Sequence, residues 1–442
     1  MKKQILLLLA FLFGVISYTQ AQEKKNDPVE NYFSYSPDGK QHFTLSEEQI
    51  IIKFLPGVSF EQQANILKSE VVLKPLTKDM LLPSPAVTIA QVNGNVGAEQ
   101  LKAVLKRLTQ HDKIAYANPF LQYKDGTKQG ITDRFIVKLK VDADIALLNE
   151  MVRQNGLYIL EQYKYDRKVY IVEVPKSTGF NALEVANTFY ESGKFSSAEP
   201  DFLLLLNRSS NPSTLMRDES APVNTNDTFL DYQWSLNNTG SSIQYNGTPG
   251  SDMKVFDAWG ISTGSAAIKV AILDEGVDLV HPDLLANLLA GFDATGLGSA
   301  GAPSGNDAHG TACAGIVAAV GNNNLGVSGI AYNSKIIPIR IAYSNTSGNW
   351  VTSNSMIGTA IDWAWQTGGA DVLSNSWGGG SSSSLINDAI SRAITQGRGG
   401  LGAPVLFSAG NGNGAVSYPA FLPNVISVTA MSMCDQRKSP SS

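Results

Sequence analysis

The stretch IKVAILDEGVDLVHPDL, residues 268–284, decides the fold, because it joins a short apolar strand to an acidic turn. Continuous apolar runs of similar length recur later, at residues 335–341, 371–376, 404–409 and 424–430. Segments with helical periodicity and many small residues separate them, at residues 309–320, 354–367 and 385–396. Buried strands that alternate with helices predict an α/β domain, with a parallel sheet and helices on both faces.

The residue that ends the first strand is the first candidate for chemistry. In parallel α/β sheets, functional side chains gather at the carboxyl ends of the strands. Asp274 directly follows the apolar run 268–273, so its carboxylate can point into a crevice. The same aspartate could instead cap a helix or a turn, so its role depends on its partners.

A histidine lies near the start of the next segment, NDAHGTACAGIVAAV, residues 306–320, where we predict that a helix begins. The residues after His309 are nearly all small, which lets a neighbouring backbone come close and fix the histidine. We expect Asn306 or Asp307 to cap this helix. We expect Cys313, one turn further on, to be a buried small residue. A lone histidine is more often structural than catalytic, so His309 also needs a partner.

A third segment, PVLFSAGNGNG, breaks a buried strand into a glycine-rich turn at residues 410–414. Glycines on both sides of Asn411 expose its side-chain amide, which can donate to an oxygen that gains charge during a reaction. An ordinary Asn-Gly turn is the alternative.

The segment SNSWGGG, residues 374–380, ends another strand in glycines. The glycines leave room for an extended peptide to pair with Ser376, Trp377 and Gly378. The alternative is a buried strand followed by a flexible loop.

Taken together, these segments resemble the subtilisin-like serine peptidases (subtilases), over about residues 226–442. The motifs are Asp-x-Gly-Val-Asp, His-Gly-Thr-x-x-Ala-Gly, Ser-x-Gly-Gly and Ala-Gly-Asn, in this order. The resemblance implies a subtilisin-like fold and a serine endopeptidase that cleaves proteins or peptides. In that scheme Asp274 orients His309, His309 acts as general base and then acid, and Asn411 completes the oxyanion hole. Ser376, Trp377 and Gly378 would pair with the substrate backbone.

The same resemblance implies a structural calcium ion. The ligands would be Asp283, Asn323 and backbone carbonyls of the loop 322–327, which are hard oxygen donors.

The N-terminal half contains an internal repeat. IIIKFLPGV, residues 50–58, resembles FIVKLKVDA, residues 135–143, and in both copies an amphipathic helix and an Ala-x-Pro turn follow before a last strand. We therefore predict two small α+β units, at residues 46–124 and 130–206, although a chance match between unrelated sandwiches would look similar. The resemblance implies that both are propeptide-like partners of the peptidase domain, residues 227–442. The polar residues 207–226 would be a linker that contains the processing site.

Residues 1–21 combine two lysines with an apolar run and small residues, which is typical of a secretory signal peptide. We therefore expect an exported protein without stable membrane insertion. The net charge of −5 and the lack of a basic cluster argue against a nucleic-acid partner.

The nucleophile is the missing element of the resemblance. Subtilases carry their serine in Gly-Thr-Ser-Met-Ala-x-Pro, and the sequence does not contain this motif. Four serines lie near the end but lack its glycine and helix, namely Ser432, Ser439, Ser441 and Ser442. We expect the peptidase domain to be incomplete at its C-terminus, with the nucleophilic serine beyond this chain, so that the chain by itself is inactive. A pseudo-peptidase that only binds peptides is the alternative.

Overall fold

The computed structural model describes residues 32–94, 96–206, 225–240, 247–305, 307–412 and 414–436. The predicted signal peptide, most of the predicted linker and the serines at 439, 441 and 442 lie outside these residues. Within them, the helices are too short or too polar to cross a membrane.

The N-terminal half consists of two consecutive α+β arrangements. The first comprises β1 (Tyr32–Ser36), β2 (Gly39–Phe54), α1 (Phe60–Lys68), β3 (Leu81–Pro83), β4 (Ala86–Gln91), α2 (Ala98–Gln110), β5 (Ile114–Gln122) and β6 (Lys128–Gly130). The second comprises β7 (Arg134–Lys138), α3 (Ile145–Gln154), β8 (Tyr158–Gln162), β9 (Val169–Glu173), α4 (Ala182–Glu191), β10 (Ser197–Pro200) and β11 (Leu203–Leu206). We call residues 46–124 the first unit and residues 130–206 the second unit.

Both units follow the order strand, helix, two strands, helix, strand, and their antiparallel sheets have matching strand orders. The first runs β5-β2-β4-β3 and the second β10-β7-β9-β8. This topology recurs in ferredoxin-like folds. In the first unit, the amphipathic helix α2 places Leu101, Val104 and Leu108 against the buried Ile50 and Ile52 of β2.

The prediction that an Ala-x-Pro turn precedes the last strand of each unit is wrong, because both Ala-x-Pro segments lie within strands. Pro119 lies inside β5, opposite Ile50, where the register between β2 and β5 shifts. Pro200 is the last residue of β10. Proline donates no hydrogen bond, so irregular pairing and strand ends are the positions that a sheet allows it.

The strand β11 does not join the sheet of the second unit. It lies between β6 and a strand of the C-terminal half, β16 (Trp350–Ser353), and is antiparallel to both. Because β6 pairs with β5 and β16 pairs with β15 (Tyr343–Ser344), one nine-stranded sheet runs from the first unit into the C-terminal half.

The C-terminal half is an α/β domain. Its sheet is parallel throughout and contains, in spatial order, β13 (Phe292–Asp293), β14 (Lys335–Arg340), β12 (Lys269–Asp274), β17 (Val372–Asn375), β18 (Val405–Ser408) and β19 (Ile426–Val428). Its helices are α5 (Val255–Trp259), α6 (His309–Ala318), α7 (Asn354–Gln366) and α8 (Ser384–Gly400), the last with non-helical dihedrals at residues 397–399.

Successive side chains of each strand point to opposite faces of this sheet, and both faces are buried. Val270 and Ile272 of β12 pack with Ala314 and Ala318 of α6. Ala271 and the other residues of opposite parity point to the second face, where α7 and α8 pack. Small residues in α6 bring this helix close to the strand that ends at Asp274.

Candidate active site

Asp274 and His309 meet at the carboxyl end of β12. The Asp274 carboxylate is fully buried, and its oxygens lie 2.9 and 3.0 Å from His309 Nδ1. A carboxylate can only accept, so Nδ1 carries the proton and donates it. The other ring nitrogen, Nε2, is therefore the one able to take a proton from a nucleophile. In the described part of the chain, no serine hydroxyl bonds to this ring.

Glycine after the histidine is required by close packing. A Cβ at Gly310 would lie 2.2 Å from the carbonyl oxygen of Gly276 and 2.9 Å from Asp274 Cβ. Gly276 itself has φ +106°, a conformation that side chains disfavour. These two glycines let the start of α6 lie directly against the turn after β12, which sets the separation of Asp274 and His309.

Glu275 is a site residue that the sequence patterns did not reveal. Its side chain is fully buried, and Oε1 accepts a hydrogen bond of 2.6 Å from the backbone N–H of His309. The first N–H groups of a helix lack partners within the helix, so a carboxylate stabilises this end. Consecutive residues thus hold His309, since Asp274 binds the ring and Glu275 binds the backbone. The only sequence signal was a second acid beside Asp274.

The expected capping by Asp307 is wrong. The residue before α6 is Ala308, which provides no side-chain cap, and Asp307 accepts a hydrogen bond from the backbone N–H of Ser344 instead. The prediction considered sequence neighbours alone, whereas Glu275 reaches the helix from another strand. Residue 306 lies outside the described residues.

The ring of His309 is partly enclosed. Trp350 packs edge-on against it with the ring centroids 5.5 Å apart, and Cys313 Sγ lies 3.9 Å from Nδ1. Burial of the ring disfavours the imidazolium, but the hydrogen bonds that the ring makes with Asp274 and Cys313 outweigh this effect and raise the pKa of His309 above its ordinary value. Cys313 is half-buried rather than buried as expected. Ligand atoms of Asp274, His309 and Cys313 lie within 4.8 Å of one another, so a thiophilic metal could bind there.

The residues expected to bind substrate line one cavity of about 940 Å³. They are Ser376, Trp377, Gly378 and Asn411. Trp350 also lines the cavity, and it connects this groove to the ring of His309. Asn411 is exposed. His309 and Asp274 lie behind Trp350 and are not among the residues that line the groove.

Residues of the N-terminal half form part of the wall of the groove. Leu206, the last residue of β11, lines it together with Tyr123, Asp125 and Thr127 of the turn between β5 and β6. The antiparallel pairing of β11 with β16 is the arrangement that an extended peptide adopts on a sheet edge. No pattern in the sequence predicted this pairing.

The residues expected to bind calcium are in contact. Asn323 Nδ2 donates to Asp283 Oδ1 at 2.8 Å, and the backbone N–H of Val327 donates to Asp283 Oδ2 at 2.9 Å. Asp227 accepts from the backbone N–H groups of Asn322 and Asn323. Two carboxylates, an amide oxygen and loop carbonyls form a donor set that fits a hard cation.

A parallel α/β sheet that ends in a buried Asp–His pair beside a peptide-sized groove defines an acid–base site of the kind that serine peptidases use. Comparison with known proteins agrees, since residues 265–442 match the profile of the subtilase family. Over these residues the chain is similar to the subtilase family of subtilisin-like serine peptidases.

Individual relatives match the chain over different lengths. Thermitase of Thermoactinomyces vulgaris is 38% identical over 183 residues, which are 41% of this chain and 61% of thermitase. A calcium-dependent protease of Nostoc sp. (strain PCC 7120 / SAG 25.82 / UTEX 2576) is 30% identical over 322 residues, 68% of this chain and 43% of that protein. The chain therefore spans about half the length of these relatives. Fervidolysin of Fervidobacterium pennivorans, a solved structure, is 22% identical with a TM-score of 0.49 and covers 73% of this chain, which covers 46% of fervidolysin.

Proposed function

We propose that this chain is part of a secreted serine endopeptidase of the subtilisin type, made as a zymogen. The observation that carries the proposal is the hydrogen-bonded pair of Asp274 and His309 beside a groove that a strand of the same chain enters. The signal-like residues 1–21 support export.

The proposed mechanism assigns each step to an atom. His309 Nε2 takes the proton of the serine hydroxyl as the oxygen attacks the peptide carbonyl, and later gives it to the leaving amine. Asp274 holds the proton on Nδ1 and stabilises the imidazolium that forms. The side-chain amide of Asn411 donates to the oxyanion, an interaction worth about 3–4 kcal/mol in related enzymes. Ser376, Trp377 and Gly378 hold the substrate backbone.

The nucleophile in this proposal is a serine outside residues 1–442. The sequence lacks the Gly-Thr-Ser-Met-Ala-x-Pro setting, and Ser432 follows the short strand β19 rather than beginning a helix. A pseudo-peptidase is the second candidate function only because the sequence lacks this serine motif. The acid–base geometry favours catalysis, because peptide binding alone does not require a buried Asp–His pair.

The zymogen part of the proposal concerns the second unit. Glu199 accepts hydrogen bonds from Ser383 Oγ and from the backbone N–H groups of Ser384 and Leu385, at the start of α8. Asp201 accepts from Ser355 at the start of α7 in the same way. The unit thus docks on two helix N-termini and directs β11 into the groove, as an inhibitory propeptide would.

Calcium is proposed as a structural ion. Asp283 and Asn323 would hold it together with loop carbonyls, and the ion would tie the loop 322–327 to the turn after β12. Calcium should raise the melting temperature of the purified chain after chelation, and Asp283→Asn should abolish most of this rise. A melting temperature that changes neither when calcium is added nor when Asp283 is replaced would contradict the proposed calcium site.

The experiment that tests the peptidase proposal uses the gene beyond codon 442. The longer product should react with a fluorophosphonate probe and hydrolyse casein, and Asp274→Asn should lower its kcat by about four orders of magnitude, as in other triad enzymes. Exposed Asp112→Asn is the matched control. A product without hydrolysis that still binds peptides would support the pseudo-peptidase, and labelling of the 442-residue chain would show that the serine is already present.

A further inference from the structure

We propose that the first unit, residues 46–124, together with the β5–β6 turn, is a second inhibitory element that clamps β11 in the groove. The inference rests on the proposed function of the groove and assigns a role to the copy of the repeat that does not dock on α7 and α8.

The clamp is built first from backbone pairing. β11 has a neighbour on each edge: Leu203 to Leu206 pair with β16, and Leu203 to Leu205 pair with β6. A strand that pairs on both edges has its backbone groups satisfied on both sides, and it can leave only if one of the two ladders breaks. Because β6 continues into β5 and β2, the outer edge of β11 is anchored in the sheet of the first unit.

The second component is a shared apolar core. Leu203 and Leu205 pack in one cluster with residues of the first unit and with Tyr343 and Val351 of the C-terminal half. The first-unit members are Ile51, Leu82, Val87, Ile89, Tyr116 and Phe120. The leucines of β11 are at most 5% exposed. Their burial therefore depends on three parts of the chain at once.

The third component is a set of hydrogen bonds from the β5–β6 hairpin to the glycine-rich loop of the groove. Asp125 Oδ2 accepts a bond of 2.8 Å from the backbone N–H of Gly380. Gln129, which is fully buried, accepts from the backbone N–H of Ser381 at 3.1 Å and donates to Ser381 Oγ at 3.0 Å. Asp125 and Gly380 line the groove together with Leu206, so these bonds tie the hairpin to the wall of the groove beside β11.

A further pair of bonds fixes the far side of the first unit. Tyr343 Oη donates to the carbonyl oxygen of Ser84 at 2.6 Å, and Ser84 Oγ donates to the carbonyl oxygen of Thr295. The first unit thus contacts the C-terminal half through Ser84 as well as through the shared apolar core. It follows that a cut between residues 206 and 225 leaves β11 in the groove.

The test measures release of the N-terminal part without requiring hydrolysis. A recognition sequence for a site-specific protease is inserted after residue 215, the chain is cut, and dissociation of the N-terminal piece from the immobilised C-terminal piece is followed. We expect the wild-type pieces to stay bound, and Asp125→Ala/Gln129→Ala to dissociate about tenfold faster or more, because buried hydrogen bonds are lost. Glu99→Gln, an exposed acid on α2, is the matched control and should not change the rate.

Two further measurements separate the clamp from a folding defect. The melting temperature of each uncut variant reports whether it folds. Ser381→Ala removes the bond from Gln129 Nε2 to Ser381 Oγ but keeps the bond from the Ser381 backbone N–H, whereas Gln129→Ala removes both, so the combined variant should dissociate no faster than Gln129→Ala alone. Equal dissociation rates for wild type and Asp125→Ala/Gln129→Ala would overturn the proposal. Since the readout is dissociation, a chain that proves to have no peptidase activity would still show the tenfold effect.

Discussion

The two N-terminal units have the same strand order but contact the C-terminal half in different ways. The second unit docks through charged groups, with Glu199 and Asp201 at the N-termini of α8 and α7. The first unit docks together with the adjoining strand β6, through backbone pairing of β6 with β11, apolar side chains of the unit and the amide bonds of Gln129. One topology can therefore hold the same strand, β11, by two different surfaces.

The difference predicts which docking surface is more sensitive to a single substitution. Where one charged acceptor satisfies several buried donors, much of the docking free energy depends on that single side chain. Where a sheet edge pairs, the docking free energy is distributed over many backbone hydrogen bonds.

The largest effect is expected for Glu199→Ala. Glu199 is buried and accepts from three donors at the start of α8, so its loss leaves these donors unpaired. We expect a decrease of about 3 kcal/mol in the free energy of unfolding, measured with urea. Glu184→Ala is the control, because Glu184 caps α4 at the surface and should cost under about 1 kcal/mol. An equal decrease in the free energy of unfolding for both variants would contradict the idea that the docking of the second unit depends strongly on the single side chain of Glu199.

A smaller effect is expected from pH. Burial raises the pKa of Glu199 and of Asp201 in the docked state, partly offset by hydrogen bonds from Ser383 and Ser355 respectively. Both groups bind a proton more tightly when docked, so their contribution is fully present below the ordinary carboxyl pKa and is lost as pH rises through the docked pKa.

Each group can change the docking free energy by up to about 1.4 kcal/mol per pH unit within that window. The dissociation rate of the cut chain should thus rise with pH above about 4. The neighbouring charged or titratable groups are Arg134 and Asp133 near Asp201, and Tyr418 near Glu199. These three residues are left unchanged in every variant of this experiment. Glu199→Gln/Asp201→Asn should flatten the profile, and an unchanged profile would exclude these carboxyls as its source.

The smallest effect is expected for Tyr343→Phe in the docking surface of the first unit. Phenylalanine keeps the packing in the shared core and removes the hydrogen bond to the carbonyl oxygen of Ser84. We expect a loss of about 1 kcal/mol in urea unfolding. Exposed Tyr158→Phe should cause no change. A decrease in the free energy of unfolding as large as that of Glu199→Ala would show that the docking free energy of the first unit is not distributed over many contacts.

The sequence predicted the parts of the molecule that depend on local pattern. The alternation of apolar strands and helices indicated the α/β domain, and the motifs around Asp274 and His309 led to two side chains that the structure brings into contact. Such patterns are visible because a strand end and a helix start each leave a signature in a few consecutive residues.

The contacts between distant segments could not be predicted in this way. Glu275 caps a helix that begins 34 residues later, and Asp307, the nearer acid, does not. β11 consists of four leucines that would suit any buried strand, so its sequence does not specify β6 and β16 as neighbours. The Ala-x-Pro segments looked like turns because proline is rare in strands, and a register shift in β5 that accommodates it has no sequence signature.

The central position of β11 also has a consequence for the order of folding during synthesis. Its partner residues in β16 carry numbers up to 150 higher, so β11 and the edge of β6 are made well before the strand that completes the sheet. Until then the nascent chain exposes a leucine-rich edge, which other chains can pair with. Folding through such distant pairs is slow, so we expect β11 to be prone to aggregation until β16 has been made and has paired with it.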